Sequence, residues 1–306
     1  MRQTAIQMVH ELAKRDPRVL FLGSDLGPGI LEAMRLEFPE RYFMEGVSEA
    51  NFIGMSAGLA MEGYIPYLNT IAPFFTRRAY EQIAVDLCLH HLPVRMLSSG
   101  GGLVYAPLGP THLATEDIAI LRALPRMTIL APADATEMRR MMPLTVDHPG
   151  PIYIRLGKGG DPIVTNDEPF AIGKIFPMRA GRDAVIISTG VMLKRALDAS
   201  EALRVKGMEA AVLHCPTVKP LDETVIRAHA AQVPVIVTVE EHTTVGGLGS
   251  AVAEIIAEAG LAGGKRFRRI GIPDVFPDQY GSQDSLLARY DITAERIAST
   301  VAELAS

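Results

Sequence analysis

The sequence is poor in cysteine, in basic charge and in long apolar runs, and it has no tryptophan. Its 306 residues contain only Cys88 and Cys215, which lie far apart and outside any metal-binding or redox spacing. We therefore expect a reducing, cytoplasmic setting. No apolar run approaches the ~20 residues of a membrane span, and the N-terminus is amphipathic and charged, unlike a signal peptide. The net charge of −5 gives no basic excess, so neither a nucleic-acid nor a membrane partner is expected.

What the sequence does contain is typical of an α/β protein. Hydrophobic residues make up 48% and charged residues 21%, which indicates a globular chain that is long enough for about two domains. Short, continuously apolar segments alternate with segments of helical periodicity, the pattern of parallel sheets covered by helices on both faces. We predict two parallel-sheet α/β domains, over residues 1–165 and 181–306, joined by a polar linker at 166–180.

The predicted elements follow this alternation along the chain. Helices are predicted at 4–14, 30–36, 48–62, 75–90, 115–124, 135–146, 192–205, 221–230 and 250–259, and strands at 19–23, 64–70, 94–98, 127–131, 152–156, 184–188, 210–214, 234–239 and 267–270. In an open parallel sheet, ligands bind at the carboxyl ends of the strands. Functional residues should therefore lie in or beside the turns that follow these strands.

Glu49 stands at the start of one predicted helix. Ser48 is a suitable N-cap, and a carboxylate in the first turn is favoured by the helix dipole. Spacings of three and four place on the same face as Glu49 the residues Ile53, Ser56, Ala57 and Ala60. Small residues there allow close approach by another helix, so the carboxyl group is either buried and hydrogen-bonded or solvated as an ordinary first-turn glutamate. Glu49 is the first candidate for a functional acid.

Two of the turns carry further candidates. His112 ends a Gly-Pro-Thr-His sequence in a stiff loop just before a helix, where an imidazole can transfer a proton or orient a substrate. Phe74 precedes two arginines, which places it near a surface or a subunit contact.

The glycine-rich turn at 246–249 lacks the spacing of a phosphate-binding loop, so we expect tight packing of a helix on a strand there. No spacing of histidines, cysteines and carboxylates predicts a metal site in this chain.

These segments together resemble the transketolase family. The segment 46–60, the Gly-Pro-Thr-His sequence with 116–122, and the segment 128–134 are similar to its pyrimidine-binding domain, and 238–254 is similar to its small C-terminal domain. The motifs occur in order and cover essentially the whole chain. They correspond to half of a usual transketolase, because the amino-terminal domain that holds the diphosphate and a magnesium ion has no counterpart here.

The resemblance implies a thiamine diphosphate cofactor and roles for residues at its pyrimidine end. In the family, a glutamate at the position of Glu49 binds a pyrimidine ring nitrogen and shares the proton that sets the tautomer of the ring. Phe74 would pack on this ring, Asp25 matches an acid near the thiamine, and His112 matches a histidine that contacts the substrate. Mg²⁺ would be ligated by a partner subunit.

The part of the site that would bind a sugar phosphate departs from the family. Leu108 replaces an acid that precedes the Gly-Pro-Thr-His sequence, while Gly100 and Lys158 replace a histidine and an arginine. Arg2 matches a phosphate-binding arginine of the family. We therefore expect Leu108, Arg2 and Lys158 to line the substrate site beside the histidine. The acceptor should be shorter, less hydroxylated or differently branched than ribose 5-phosphate, and can still be anionic.

We interpret the chain as the C-terminal subunit of a split, transketolase-like enzyme that moves a two-carbon ketol unit from a ketose to an aldehyde. The expected partner is an N-terminal transketolase subunit with the diphosphate- and metal-binding domain, in a heterotetramer that contains a dimer of this chain. Two alternatives are the β subunit of a 2-oxo acid dehydrogenase, which has the same two domains, and a regulatory subunit that lost catalysis. The Gly-Pro-Thr-His sequence favours a transketolase, and the presence of Glu49 and His112 argues against a loss of catalysis.

Overall fold

The computed structural model describes residues 1–24, 29 and 31–306, which form two α/β units. Its helices are α1 (Arg2–Arg15), α2 (Glu32–Glu37), α3 (Glu49–Met61), α4 (Ala72–Thr76), α5 (Tyr80–Gln82), α6 (Asp117–Arg122), α7 (Ala135–Met141), α8 (Leu193–Val205), α9 (Glu223–Gln232), α10 (Leu248–Glu258), α11 (Gln283–Arg289) and α12 (Ala294–Ala305). Its strands are β1 (Val19–Gly23), β2 (Tyr42–Met44), β3 (Ile65–Ile71), β4 (Arg95–Ser99), β5 (Thr128–Leu130), β6 (Ile152–Leu156), β7 (Phe176–Arg179), β8 (Ala184–Ser188), β9 (Ala210–His214), β10 (Thr217–Lys219), β11 (Val235–Thr243) and β12 (Arg266–Ile272). None of the described helices combines the length and the apolar character that a membrane crossing needs.

The first sheet has seven strands in the order β10-β5-β6-β4-β3-β1-β2. Neighbouring strands run parallel except for β10, which is antiparallel to β5. The strands β3, β4 and β6 lie in the middle of the sheet, and every residue in them is buried. Because helices cover both faces, these strands are rich in apolar residues on both sides, as the sequence predicts.

The second sheet has five strands in the order β12-β11-β8-β9-β7, and only β7 on β9 is antiparallel. The predicted fold class of two parallel-sheet α/β units is therefore confirmed, with an antiparallel strand at one edge of each sheet. The strand β7 begins inside the segment 166–180 that the sequence predicts as a linker. The strand β10 comes from the second half of the chain and completes the first sheet, so the two units share backbone pairing.

Packing between α3 and α4 fixes the positions of Glu49 and Phe74 at the carboxyl end of β3. Phe52 of α3 and Phe75 of α4 are both fully buried and meet edge to face, with ring centroids 5.8 Å apart. Burial of each ring contributes about 1.5–3 kcal/mol. This contact holds α3, which begins at Glu49, and α4, which contains Phe74, next to each other over the carboxyl end of β3.

The prediction of a continuous helix at 75–90 is wrong. The helices α4 and α5 and a π-helix at Ile83–Leu89 replace it, with a break after α4. At the break, Arg77 and Arg78 each donate to a different carboxylate from another element. These two long-range contacts stabilise the break, and the local periodicity of the sequence does not reveal them.

Candidate active site

Glu49 is the first residue of α3, and its side chain is only 3% exposed. The helix begins where the sequence predicts, but Ser48 does not cap it with its side chain, because its hydroxyl donates to the carbonyl oxygen of Glu45 at 2.8 Å. The predicted helix face is confirmed, since Ile53 and Ala57 are buried together with Glu49. A buried carboxylate at a helix N-terminus is favoured by the helix dipole, yet it needs hydrogen-bond donors.

Two donors meet this carboxylate from neighbouring elements. The Thr70 hydroxyl of β3 donates to Glu49 Oε1 at 3.3 Å, and Arg78 Nη1 donates to Oε2 at 3.3 Å. Both contacts are long, because charge-assisted hydrogen bonds usually measure about 2.7–2.9 Å. Arg78 is 47% exposed and reaches Glu49 from the solvent side. The carboxylate therefore retains capacity to accept a stronger hydrogen bond from a bound molecule.

The guanidinium of Arg78 also lies over the ring of Phe74. Its Cζ atom is 3.7 Å from the ring centroid, a cation–π contact that contributes about 0.5–1 kcal/mol at a partly exposed site. The Phe74 ring in turn meets the imidazole of His112, with centroids 5.3 Å apart and an interplanar angle of 62°. These contacts form one continuous surface at the carboxyl edge of the first sheet. We call it the acid–aromatic surface, and it consists of Glu49, Arg78, Phe74 and His112.

The loop that carries His112 is held by the neighbouring arginine of the helix break. Arg77 donates to the carbonyl oxygen of Leu113 at 2.9 Å and pairs with the carboxylate of Glu116 at 2.9 Å. The Thr111 hydroxyl oxygen lies 2.8 Å from His112 Nδ1, which orients the imidazole. A fixed loop and an oriented ring suit a histidine that must meet a substrate in one geometry.

A buried polar network beneath this loop was not predicted from the sequence. Arg155 of β6 donates to Asp117 at 2.8 and 3.2 Å, and the Tyr153 hydroxyl donates to the same carboxylate at 2.7 Å. Burial is the largest influence on the pKa of Asp117 and raises it, but the charges of Arg155 and His242 and the hydrogen bonds from Arg155 and Tyr153 together hold that pKa below its usual value. An arginine inside an otherwise apolar strand is the one signal that the sequence offers, since a buried arginine requires an acidic or carbonyl partner.

The second half of the chain enters the same network through Glu241 of β11. Its backbone carbonyl accepts from Arg155 at 2.8 Å, and its buried carboxylate accepts from the Leu103 amide at 2.8 Å and from Gln283 at 2.9 Å. Burial raises the pKa of Glu241 above its usual value, although Arg155 opposes the shift. Because Leu103 lies in the loop between β4 and His112, the second sheet helps to position that loop.

The glycine-rich turn at 246–249 is occupied by the protein's own carboxylate. Glu240 accepts from the amides of Leu248 and Gly249 at 2.7 and 2.8 Å. A Cβ atom on Gly249 would lie 2.5 Å from the hydroxyl oxygen of Thr238, so glycine permits the close packing of α10 on β11. The prediction of tight helix–strand packing at this turn is confirmed.

Of the remaining predicted site residues, those that the structure describes lie at the edge of this region or beyond it. Asp25 falls outside the residues that the structure describes. Arg2 donates to the Tyr105 hydroxyl at 3.1 Å, beside the loop after β4. Lys158 is exposed after β6, and Leu108 is 48% exposed in a short 3₁₀ turn. Among the described residues, no group of three or more potential metal-binding side chains is arranged to hold a metal ion.

Two family models match the chain. The model of the transketolase pyrimidine binding domain matches residues 1–160, and that of the transketolase C-terminal domain matches residues 173–297. Both sheets of the structure lie largely within these ranges.

Individual relatives agree with the family models. The transketolase family protein y4mN of Sinorhizobium fredii is 40% identical, with 95% of this chain and 85% of that protein covered. The 6-deoxy-6-sulfo-D-fructose transketolase subunit SqwH of Clostridium sp. is 35% identical, with 99% and 94% covered. A solved structure of a split gene transketolase, in an inactive beta4 tetramer, is 33% identical and superposes with a TM-score of 0.89 over 99% of this chain and 97% of that one.

Proposed function

This chain belongs to the transketolase family of thiamine diphosphate-dependent transferases, and we propose that it is the C-terminal subunit of a split transketolase. In the proposed reaction, a two-carbon ketol unit passes from a ketose to an aldehyde. The observation that carries the proposal is the acid–aromatic surface, where a buried acid, an aromatic ring and an imidazole meet at the carboxyl edge of a parallel sheet. The relative SqwH, which is itself named a transketolase subunit, supports it.

The acid–aromatic surface fits the pyrimidine end of thiamine diphosphate. The Arg78 guanidinium is a planar group with N–H donors, and it contacts the Phe74 ring and the Glu49 carboxylate at the same time. An aminopyrimidine is also planar and has hydrogen-bonding nitrogens, so it can make the same two contacts once the half-exposed Arg78 side chain moves aside. Stacking on Phe74 would contribute about 0.5–1.5 kcal/mol beyond the burial of apolar area.

Each side chain of the surface has its own proposed role. Glu49 binds the ring nitrogen opposite the amino group and holds the proton that the two share. Phe74 supports one face of the ring, and His112 binds a substrate oxygen and moves a proton at that atom. Bound thiamine diphosphate supplies the nucleophilic carbon, a group that no side chain of the surface provides. The contact of Arg77 with the loop keeps the imidazole in reach of this chemistry.

We expect a separate N-terminal subunit to complete the active site. The two family models cover the pyrimidine-binding and C-terminal domains, and the relative SqwH, 94% of which is covered by this chain, is named as one subunit. The partner would supply the domain that binds the diphosphate and Mg²⁺. Because a related solved structure is a beta4 tetramer, self-association of this chain is supported as well. The assembly that we propose is a heterotetramer containing a dimer of this chain.

Two further parts of the proposal concern domain limits and compartment. We propose domains at 1–165 and 181–306, and the limits of the matched ranges, 1–160 and 173–297, fall close to these bounds. Cys88 and Cys215 are buried and unpaired, which suits the reducing cytoplasm. Burial raises the pKa of the Cys88 thiol to about 11, so its reactive thiolate is scarce at neutral pH.

Calorimetry with and without the partner subunit tests the proposed function. The isolated chain should bind thiamine diphosphate weakly, because the proposed site for the diphosphate and Mg²⁺ lies on the partner. Adding the partner should give tight, Mg²⁺-dependent binding and ketol transfer from a ketose to an aldehyde. Strong, metal-independent binding by the isolated chain would contradict the proposal. A pair that turns over only with a lipoyl-bearing protein would instead indicate the β subunit of a 2-oxo acid dehydrogenase.

A further inference from the structure

The side chain of Tyr280, in the second half of the chain, lies against Gly109, the first residue of the Gly-Pro-Thr-His sequence. A Cβ atom built on Gly109 would lie 2.8, 3.0 and 3.2 Å from Cε1, Cζ and Oη of Tyr280. The edge of the ring therefore takes the place that a side chain at position 109 would fill. Gly109 also has a φ of +75°, which glycine adopts without strain. Glycine at this position permits both the turn of the backbone and the contact with Tyr280.

Gly109 begins the turn that presents His112. The carbonyl oxygen of Gly109 accepts from the His112 amide at 3.0 Å, which closes a four-residue turn over 109–112. Pro110 fixes one backbone angle inside this turn, so the turn has little internal freedom. A displacement of Gly109 is therefore passed on to the imidazole of His112. That imidazole in turn meets the Phe74 ring, with centroids 5.3 Å apart.

The turn is held from two sides by different elements. On one side, Arg77 donates to the carbonyl oxygens of Pro110 and Leu113 at 3.2 and 2.9 Å. On the other side, the Tyr280 ring lies across Gly109. Hydrogen bonds from a single guanidinium leave the turn free to rotate about that group. The second contact removes this rotation, because the ring blocks the movement of Gly109.

The backbone that carries Tyr280 is itself fixed. Tyr280 stands two residues before Ser282, the N-cap of α11, where Ser282 and Ser285 form a capping box. Gln283 donates to both carboxylate oxygens of Glu241 at 2.9 and 3.0 Å. The Tyr280 side chain is nevertheless 71% exposed. Its contact with Gly109 therefore contributes little burial, whereas it places a flat, rigid group beside the turn.

We propose that Tyr280 is a positioning residue for His112. Its ring sets the orientation of the turn 109–112, and the turn sets the position of the imidazole relative to Phe74 and the bound substrate. The inference rests on the proposed function, because that function gives His112 its role. It also gives the C-terminal unit a direct part in arranging the active site.

Removal of the ring tests the proposal. Tyr280→Ala deletes the contact with Gly109, whereas Tyr280→Phe keeps the ring and deletes only the hydroxyl. The matched control is Phe276→Ala, which removes an aromatic ring that is 79% exposed in the same segment. Each variant is assembled with the partner subunit and assayed with D-fructose 6-phosphate as the ketose and D-glyceraldehyde 3-phosphate as the aldehyde.

We expect kcat/KM for the aldehyde to fall about 10- to 100-fold in Tyr280→Ala, the usual cost of a small displacement of a reacting group. Tyr280→Phe and Phe276→Ala should stay within about threefold of wild type. The affinity for thiamine diphosphate should be unchanged in all three variants, because its pyrimidine ring is proposed to contact Glu49 and Phe74. Wild-type kcat/KM in Tyr280→Ala, or an equal loss in Phe276→Ala, would overturn the proposal.

A double-mutant cycle shows whether Tyr280 acts through the imidazole. In a His112→Gln background, Tyr280→Ala should lower kcat/KM by less than about threefold, because no imidazole is left to be positioned. A structural role unconnected with His112 would give the same loss in both backgrounds. The full loss in the His112→Gln background would therefore refute the proposed role.

Hydrogen exchange provides a readout that needs no catalysis. In Tyr280→Ala, the backbone amides of a peptide spanning 109–116 should exchange faster than in wild type, since the His112 amide bonds within the turn. Tyr280→Phe and Phe276→Ala should exchange like wild type, and the urea midpoint of every variant should stay close to wild type because these side chains are exposed. If the assembled enzyme transfers no ketol unit, the proposed function fails, and this measurement alone decides whether Tyr280 orders the turn. Equal exchange in Tyr280→Ala and wild type would overturn the inference.

Discussion

Replacing Glu49 by glutamine separates the catalytic from the structural role of this carboxyl group. In the structure, the two carboxylate oxygens accept from different donors, Thr70 on Oε1 and Arg78 on Oε2. A glutamine has one acceptor oxygen and one NH₂ group, so it can satisfy only one of these donors. If the oxygen faces Thr70, the guanidinium of Arg78 meets an N–H group and must turn away, whereas with the oxygen facing Arg78 the Thr70 hydroxyl can become the acceptor of the amide N–H.

The structural loss in Glu49→Gln should be small. Both hydrogen bonds are long at 3.3 Å, and Arg78 is 47% exposed, so water can replace the carboxylate as its partner. Because water reaches the half-exposed arginine, this ion pair is screened from that side and contributes about 0–1 kcal/mol. With the weakened hydrogen bond to Thr70, the free energy of unfolding should fall by about 1–2 kcal/mol.

The catalytic loss should be much larger. An amide cannot hold the proton that Glu49 is proposed to share with the pyrimidine ring, and loss of such a group typically lowers the rate about 10²–10⁴-fold. This corresponds to about 3–5 kcal/mol of activation free energy, more than the expected loss of stability. Urea unfolding of the isolated variant and turnover of the assembled enzyme, measured in parallel, therefore distinguish the two effects.

Glu62→Gln is the matched control for this measurement. Glu62 is the exposed C-cap of the same helix and lies one helix length away from Glu49. Its replacement should leave turnover close to wild type. If Glu49→Gln, assembled with partner and cofactor, also turned over within about threefold of wild type, the proposed role of Glu49 in proton sharing would be wrong.

Three further predictions concern specificity, stability and pH. Leu108→Asp should raise kcat/KM for hydroxylated aldehydes relative to deoxygenated ones by about 5- to 100-fold. This prediction is contradicted if ribose 5-phosphate is already the best acceptor of the wild type and the variant shows no change. Asp117→Asn should lower the free energy of unfolding by about 3–5 kcal/mol, because it leaves Arg155 buried without its acid; an unchanged urea midpoint would refute it. Burial, together with repulsion from Arg95 and His91, lowers the pKa of His148 to about 4. The neutral imidazole therefore contributes its full stability above pH ~6.5, the usual pKa of an unfolded histidine. This contribution to the free energy of unfolding is lost as the pH falls towards 4. His148→Gln should flatten the decline in unfolding free energy across that window, and an equally steep decline would show that other groups cause it.

Local sequence patterns determined the fold class and most strand positions. The strands Val19–Gly23, Ile152–Leu156 and Ala184–Ser188 begin and end where the sequence predicts, because each is an apolar run bounded by polar or turn residues. The buried face of α3 was also predictable, since its period of 3.6 residues depends only on neighbours along the chain. Glu49 could be singled out because a carboxylate heads that face.

Other features follow from contacts between residues that are distant in sequence. The antiparallel pairing of β10 with β5 joins segments almost ninety positions apart, and nothing in either short segment specifies it. The helix break at 77–79 is stabilised by the carboxylates of Glu116 and Glu49, which accept from Arg77 and Arg78. Helical periodicity does not contain these long-range contacts, so by itself it predicts a continuous helix there.

The site shows the same division between local and long-range information. The sequence by itself determined which types of residue stand at the carboxyl ends of the strands: an acid, an aromatic ring, an imidazole and an arginine. Only the tertiary structure decided that Arg78 bridges Glu49 and Phe74, and that Tyr280 lies against Gly109. The physical reason is that local periodicity fixes which face of a helix or strand a side chain occupies, whereas the packing of separate elements fixes which side chains meet across them.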